Sequence, residues 1–118
     1  MTEWKPLGSE TTLADGEMTE VQVDNTSVLL ARVEGNYYAT QGLCPHLQAH
    51  LARGKLNGLV VTCPAHRSQF DLRDGHNIAW IPKLPPLARK MAQALKKPQG
   101  LRTYRTRMQD RQVWVEIS

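Results

Sequence analysis

Two short runs in this chain hold residue types that bind metal: Cys44-Pro45-His46 and, sixteen residues further on, Cys63-Pro64-Ala65-His66. They contain both cysteines and two of the four histidines. One thiolate former and one imidazole in each run is an odd mixture for a disulfide or a nucleophilic site and a natural one for metal ligation. The single residue between Cys44 and His46 suits two different metal ions better than one tetrahedral ion, because zinc sites usually space paired ligands more widely within a loop. Two competing readings stand beside this one: zinc in the same four ligands, and two core cysteines that fall near two ordinary histidines by chance.

Charge favours iron. A cluster of two irons, two inorganic sulfides and four thiolates is strongly anionic, and exchanging two thiolates for neutral imidazoles removes two negative charges. Adding an electron becomes easier, which is how such a centre reaches potentials above those of all-cysteine two-iron ferredoxins. Each run would then give one ligand to each iron.

On these residues the chain resembles the Rieske iron-sulfur proteins. Ser68, Phe70-Asp71, Gly75 and Pro82 fall where that family usually carries its Ser, Phe-Asp, turn Gly and loop Pro, and Ala49, Leu51 and Gly54 follow the first run as in its soluble ferredoxin branch. The resemblance is specific over residues 40–82. It implies a mainly β chain: an antiparallel sandwich or barrel with a cluster-binding part at about 40–85 made of two hairpin loops. It also implies one [2Fe-2S] cluster per chain, with Cys44 and Cys63 on one iron and His46 and His66 on the other. Ser68, Gln48 and Pro82 are expected around it, and the histidine side is expected to be the exit for the electron.

Departures from the family pattern are informative. Ala49 and Ala65 stand where the respiratory branch has two further cysteines, so no disulfide staples the loops, and Phe70 stands where that branch has a Tyr hydroxyl. Fewer hydrogen bonds to the sulfurs leave them electron-rich and predict a low-potential, ferredoxin-like centre. Gln48 replaces a common glycine.

The elements that position these residues read as short strands. Residues 3–7 suit an edge strand. Glu20 to Val23 alternates as a half-buried strand does, and Val28 to Val33 is aliphatic throughout; Asp24-Asn25 joins them as a hairpin. Glu34-Gly35-Asn36 turns the chain into Tyr37 to Thr40, which leads into the first run. Leu59 to Thr62 ends at Cys63, Gln69 to Leu72 and His76 to Ile81 flank a turn at Arg73-Asp74-Gly75, and strands over Leu101 to Arg107 and Gln112 to Ile117 close the chain. Residues 86–97 read as a helical insertion, with proline near its start and Pro98 and Gly100 beyond its end. Leu87, Met91 and Leu95 share one face, and Met91 is expected to pack beneath the helix. Trp80 is expected in the core, and His50 and His76 at the surface.

At 118 residues the chain reads as one domain. The Rieske oxygenases resemble it only in their N-terminal part, so the resemblance implies an electron-transfer protein and not an enzyme. No apolar run nears the roughly 18 residues of a membrane span, and Met1 to Pro6 lacks a secretory pattern, which predicts a cytoplasmic protein. Net charge is +4, but residues 1–82 sum to −3 and residues 83–111 to +8. That basic segment is read either as a solvated face or as a dock for an acidic partner. No aromatic residues interleave the basic helix as nucleic-acid stacking requires, and that helix is short for a membrane surface. The resemblance implies a soluble carrier with a reductase as donor and an oxygenase or reductase as acceptor. The rivals are a non-catalytic small subunit of a larger reductase, similar to that of nitrite reductase, and a zinc-stabilised interaction module.

Overall fold

The computed structural model describes residues 3–7, 13–45, 48–65, 67–79, 85–95, 99–109 and 111–117, with the backbone alone at 89 and 92–95. His46, His66, Trp80 and Pro82 lie outside the described residues. Eleven strands are described: β1 (Glu3–Pro6), β2 (Met18–Val23), β3 (Thr26–Val33), β4 (Asn36–Gln41), β5 (Lys55–Asn57), β6 (Val60–Thr62), β7 (Gln69–Asp71), β8 (Asn77–Ala79), β9 (Thr103–Tyr104), β10 (Thr106–Gln109) and β11 (Gln112–Ile117). They form three antiparallel sheets, ordered β1-β11-β10, β2-β3-β4-β9 and β5-β6-β7-β8.

β3 organises the packing. Its run Val28-Leu29-Leu30-Ala31 is fully buried, as a strand covered on both faces must be. Because successive side chains point to opposite faces, Leu29 and Ala31 join one apolar cluster with Leu51, Val61, Phe70, Leu72, Leu101 and both cysteines. Val28 and Leu30 join a second, with Leu7, Val23, Ala39, Val113 and Val115. One strand thus divides a cysteine-bearing core from a second core. The β3–β4 hairpin closes on Val33 and Asn36 through Glu34 (φ 52) and Gly35 (φ 81). Two consecutive positive φ values match the right-handed twist of the flanking strands.

Two expectations are corrected. The strand expected over Leu101 to Arg107 is split: β9 pairs with β4, and β10 pairs with β11 in another sheet. Between them the Arg105 carbonyl accepts the Glu116 N–H at 3.0 Å, so that carbonyl stays paired where the chain changes sheets. The helix α1 is present at Pro86–Leu95, but Leu87 is 72% and Met91 62% exposed, so Met91 does not pack beneath it. Helical spacing determines which residues share a face; it does not place a core under that face, and among the described side chains neither apolar cluster draws a residue from α1.

Candidate metal centre

The two cysteines head two loops of the same design. Leu43 pairs with His50, leaving the six-residue loop 44–49 between them; Thr62 pairs with Gln69, leaving the six-residue loop 63–68. In the first loop the Cys44 N–H donates to the Ala49 carbonyl at 2.8 Å, and the Gln48 N–H donates to the Cys44 carbonyl at 2.7 Å. In the second, the Cys63 N–H donates to the Ser68 carbonyl at 2.8 Å, and the Arg67 N–H donates to the Cys63 carbonyl at 3.1 Å. Even the left-handed residue coincides, Gln48 with φ 55 and Arg67 with φ 61. Gln48 therefore keeps the conformation that glycine adopts readily. Two main-chain hydrogen bonds close each loop.

Each loop is held from below. Cys44 and Cys63 are 0% and 1% exposed, unbridged, and members of the same apolar cluster. Phe70 on β7 is the largest fully buried side chain of that floor, and Ser68, at the end of the second loop, is fully buried. The chain leaving the first loop turns through one 3-10 turn, Leu51–Arg53, into Gly54. A Cβ at Gly54 would stand 1.9 Å from the Thr62 carbonyl oxygen, so only glycine lets this return path cross the strand that delivers Cys63.

A strap over residues 101–104 ties the two loop systems together. Leu101 is buried in the cysteine-bearing core and donates its N–H to Gly75 at 2.7 Å. The Arg102 backbone bonds Gln41 twice: its carbonyl accepts the Gln41 N–H, and its N–H donates to the side-chain Oε1 of Gln41, both at 2.8 Å. The Gln41 amide also donates to the Leu43 carbonyl at 2.8 Å, just before Cys44. Sequence reasoning missed Gln41; its only signal was a polar residue ending a strand immediately before the ligand run.

Charge around the second hairpin is ordered by Asp71. Its carboxylate accepts the Arg73 N–H at 2.8 Å and the guanidinium at 2.8 and 3.1 Å. Those bonds hold its pKa down at about 2, against the opposing effect of burial. Asp74 is lowered likewise, first by the His76 N–H. His50 and His76 lie at the surface as expected, each 2.6 Å from a carboxylate, Glu20 and Asp74 respectively.

Two soft sulfur donors, buried at equivalent positions of two matched loops over one apolar floor, are a donor set that suits iron and sulfide. A family model, the Rieske [2Fe-2S] domain, matches residues 3–104. The chain belongs to the Rieske family. Sulredoxin of Sulfurisphaera tokodaii is 32% identical to this Rieske chain over 114 residues, covering 97% of it and 96% of the relative. The ferredoxin component of the naphthalene 1,2-dioxygenase system of Pseudomonas putida is 27% identical over 106 residues, covering 90% and 88%. A solved complex of reduced oxygenase and oxidised ferredoxin in carbazole 1,9a-dioxygenase contains a chain of the same fold, with TM-score 0.75, 22% identity and coverage of 95% and 91%. Rieske membership makes the resident group a [2Fe-2S] cluster, not zinc.

Proposed function

We propose that this chain is a one-electron carrier whose cluster is held by Cys44 and Cys63 on one iron and by His46 and His66 on the other. The observation that carries this reading is the matched pair of cysteine loops, closed by the same hydrogen bonds and seated on one core. Each histidine lies in sequence between its cysteine and the left-handed residue of its loop. When bound, the cluster supplies a centre that takes up and gives up one electron.

The protein's part is to hold that centre still and to exclude water from its sulfur side. Loops closed by main-chain hydrogen bonds and seated through Cys44 and Cys63 on a packed floor would limit the reorganisation that opposes transfer. Ser68 is assigned a hydrogen bond to a cluster sulfur, Gln48 the turn that closes the first loop, and Pro82 a cover for the remaining side.

The donor is a reductase and the acceptor an oxygenase or a reductase, a reading supported by relatives that are ferredoxin components of a naphthalene 1,2-dioxygenase system and an alkene monooxygenase system. The basic segment 83–111 attracts an acidic partner surface at long range. Its cations with described side chains are dispersed: Lys90 on α1, Arg102 and Arg105 beside Tyr37 and Tyr104 in a groove of about 480 Å³, Arg107 4.3 Å over the Trp4 ring, and Arg111 in the turn before β11. We assign the carrier to the cytoplasm; among the described residues no helix is long and apolar enough to cross a membrane.

The deciding experiment is electron paramagnetic resonance of dithionite-reduced protein, with iron, zinc and acid-labile sulfide determined on the same oxygen-protected sample. A reduced two-iron signal with mixed sulfur and nitrogen coordination is expected. His46→Ala should abolish or convert it while the far-ultraviolet circular dichroism stays unchanged. Zinc without sulfide, or a variant with the native spectrum, would overturn the assignment, and copurification with a large subunit coupled to inactivity of the free chain would favour the reductase-subunit reading.

A further inference from the structure

The acidic balance of residues 1–82 conceals a local reversal. Three of the six cations in that stretch, Arg53, Lys55 and Arg67, surround a cavity of about 200 Å³ beside Cys63 and Pro64, and among the described residues no anionic side chain lines it. All three are exposed and form no ion pair among the described residues. The fold brings them together. Lys55 pairs with Thr62 across β5–β6, one residue before the cysteine; Arg53 ends the turn that returns from the first loop; Arg67 is the left-handed residue of the second. The corresponding cavity beside Cys44, about 490 Å³, is lined by no charged residue among the described ones. The two otherwise matched loops therefore differ in charge.

We infer that Arg53, Lys55 and Arg67 form the contact point at which an acidic redox partner seats over the second cysteine loop. This inference rests on the carrier function proposed above and deepens it. None of the described cations of segment 83–111 lines either loop cavity, so that segment can steer a partner but does not mark where the partner comes to rest. Unpaired cations at the rim of a loop act on whatever approaches it, because screening leaves only the nearest charges effective within about 10 Å.

The test uses small oxidants of opposite charge on the reduced holoprotein. Hexacyanoferrate(III), an anion, takes up one electron to become hexacyanoferrate(II); tris(phenanthroline)cobalt(III), a cation, takes up one electron to become the cobalt(II) complex. No proton moves in either reaction. At low ionic strength the anion should be favoured, with a rate that falls as salt is added. The triple variant Arg53→Glu, Lys55→Glu, Arg67→Glu should lower the anion-to-cation rate ratio by about tenfold or more. The same reversal at Lys90, Arg107 and Arg111 removes equal net charge and should lower it by far less.

A second readout does not depend on electron transfer. Hexacyanochromate(III), an inert paramagnetic anion, should broaden the Lys55 and Thr62 nuclear magnetic resonance signals in the wild-type protein and not in the first variant. Equal effects from both variants, or no broadening at Lys55 and Thr62, would show that overall charge governs the encounter and would overturn the inference. A colourless, iron-free preparation would instead overturn the carrier function, and the visible spectrum separates the two failures.

Discussion

Gln48 shows how a residue can depart from a family pattern without changing the path of the chain. Its φ of 55 is the value a glycine would supply, and the Cys44 carbonyl accepts its N–H just as the Cys63 carbonyl accepts that of Arg67. A β-branched side chain is strained in this region, so Gln48→Val should cost about 1–2 kcal/mol, while Gln48→Gly should be at least as stable as the wild type. Denaturant midpoints of the two variants check that order. Asp71 gives a second test at this scale. Its folded pKa of about 2 lies below its ordinary value of 3.8, so the stabilisation is full above pH 4 and is lost as pH falls through 2. With Arg73 partly in solvent, the contribution is of order 1–2 kcal/mol. Asp71→Asn should therefore be less stable than wild type at pH 6, with the gap closing between pH 4 and pH 2 in thermal melts followed by circular dichroism.

At the scale of elements, the loops depend on close crossings that leave no room for a side chain. Gly54→Ala would place a methyl group against the Thr62 carbonyl, a backbone atom that cannot rotate away. We expect loss of more than about 2 kcal/mol and impaired retention of visible absorbance, because either the first loop's return path or β6 must shift. Gly75, at φ 78 and with the Leu101 carbonyl 2.0 Å from where its Cβ would be, locks the second hairpin to the strap in the same way. The helix is the opposite case. Leu87 and Met91 face solvent, so replacing either with lysine should change stability by no more than about 0.5 kcal/mol. Had Met91 packed beneath α1, the cost would have reached the roughly 2–5 kcal/mol of a core truncation.

The whole molecule is two cores sharing one wall. Leu29 and Leu30 are neighbours in sequence, equally buried, and belong to different clusters. Truncating either to alanine should cost about 2–5 kcal/mol, yet the two losses should be seen by different probes. Leu29→Ala loosens the floor under Cys44 and Cys63, so visible absorbance should bleach at a lower temperature than the sheet melts. Leu30→Ala should make both signals fall together. Coincident transitions in both variants would show that the cores unfold as one unit.

Much of this was legible in the chain itself. The Phe-Asp pair, the Gly that follows it, and most strands and turns arise from interactions between residues close in sequence, and the structure keeps them nearly where the pattern put them, while His46 and His66 lie outside the described residues. What the pattern could not reach depended on pairing across distance. The switch of sheets at Arg105 follows from which partners β9 and β10 find, and the exposure of Leu87 and Met91 follows from both cores being filled without them. The sum of charges over residues 1–82 pointed away from Arg53, Lys55 and Arg67, because composition counts charges along the chain whereas the potential at a loop depends on distances through space. Strand register, which brings Lys55 opposite Thr62 at the threshold of the second cysteine, was decided by the tertiary fold alone.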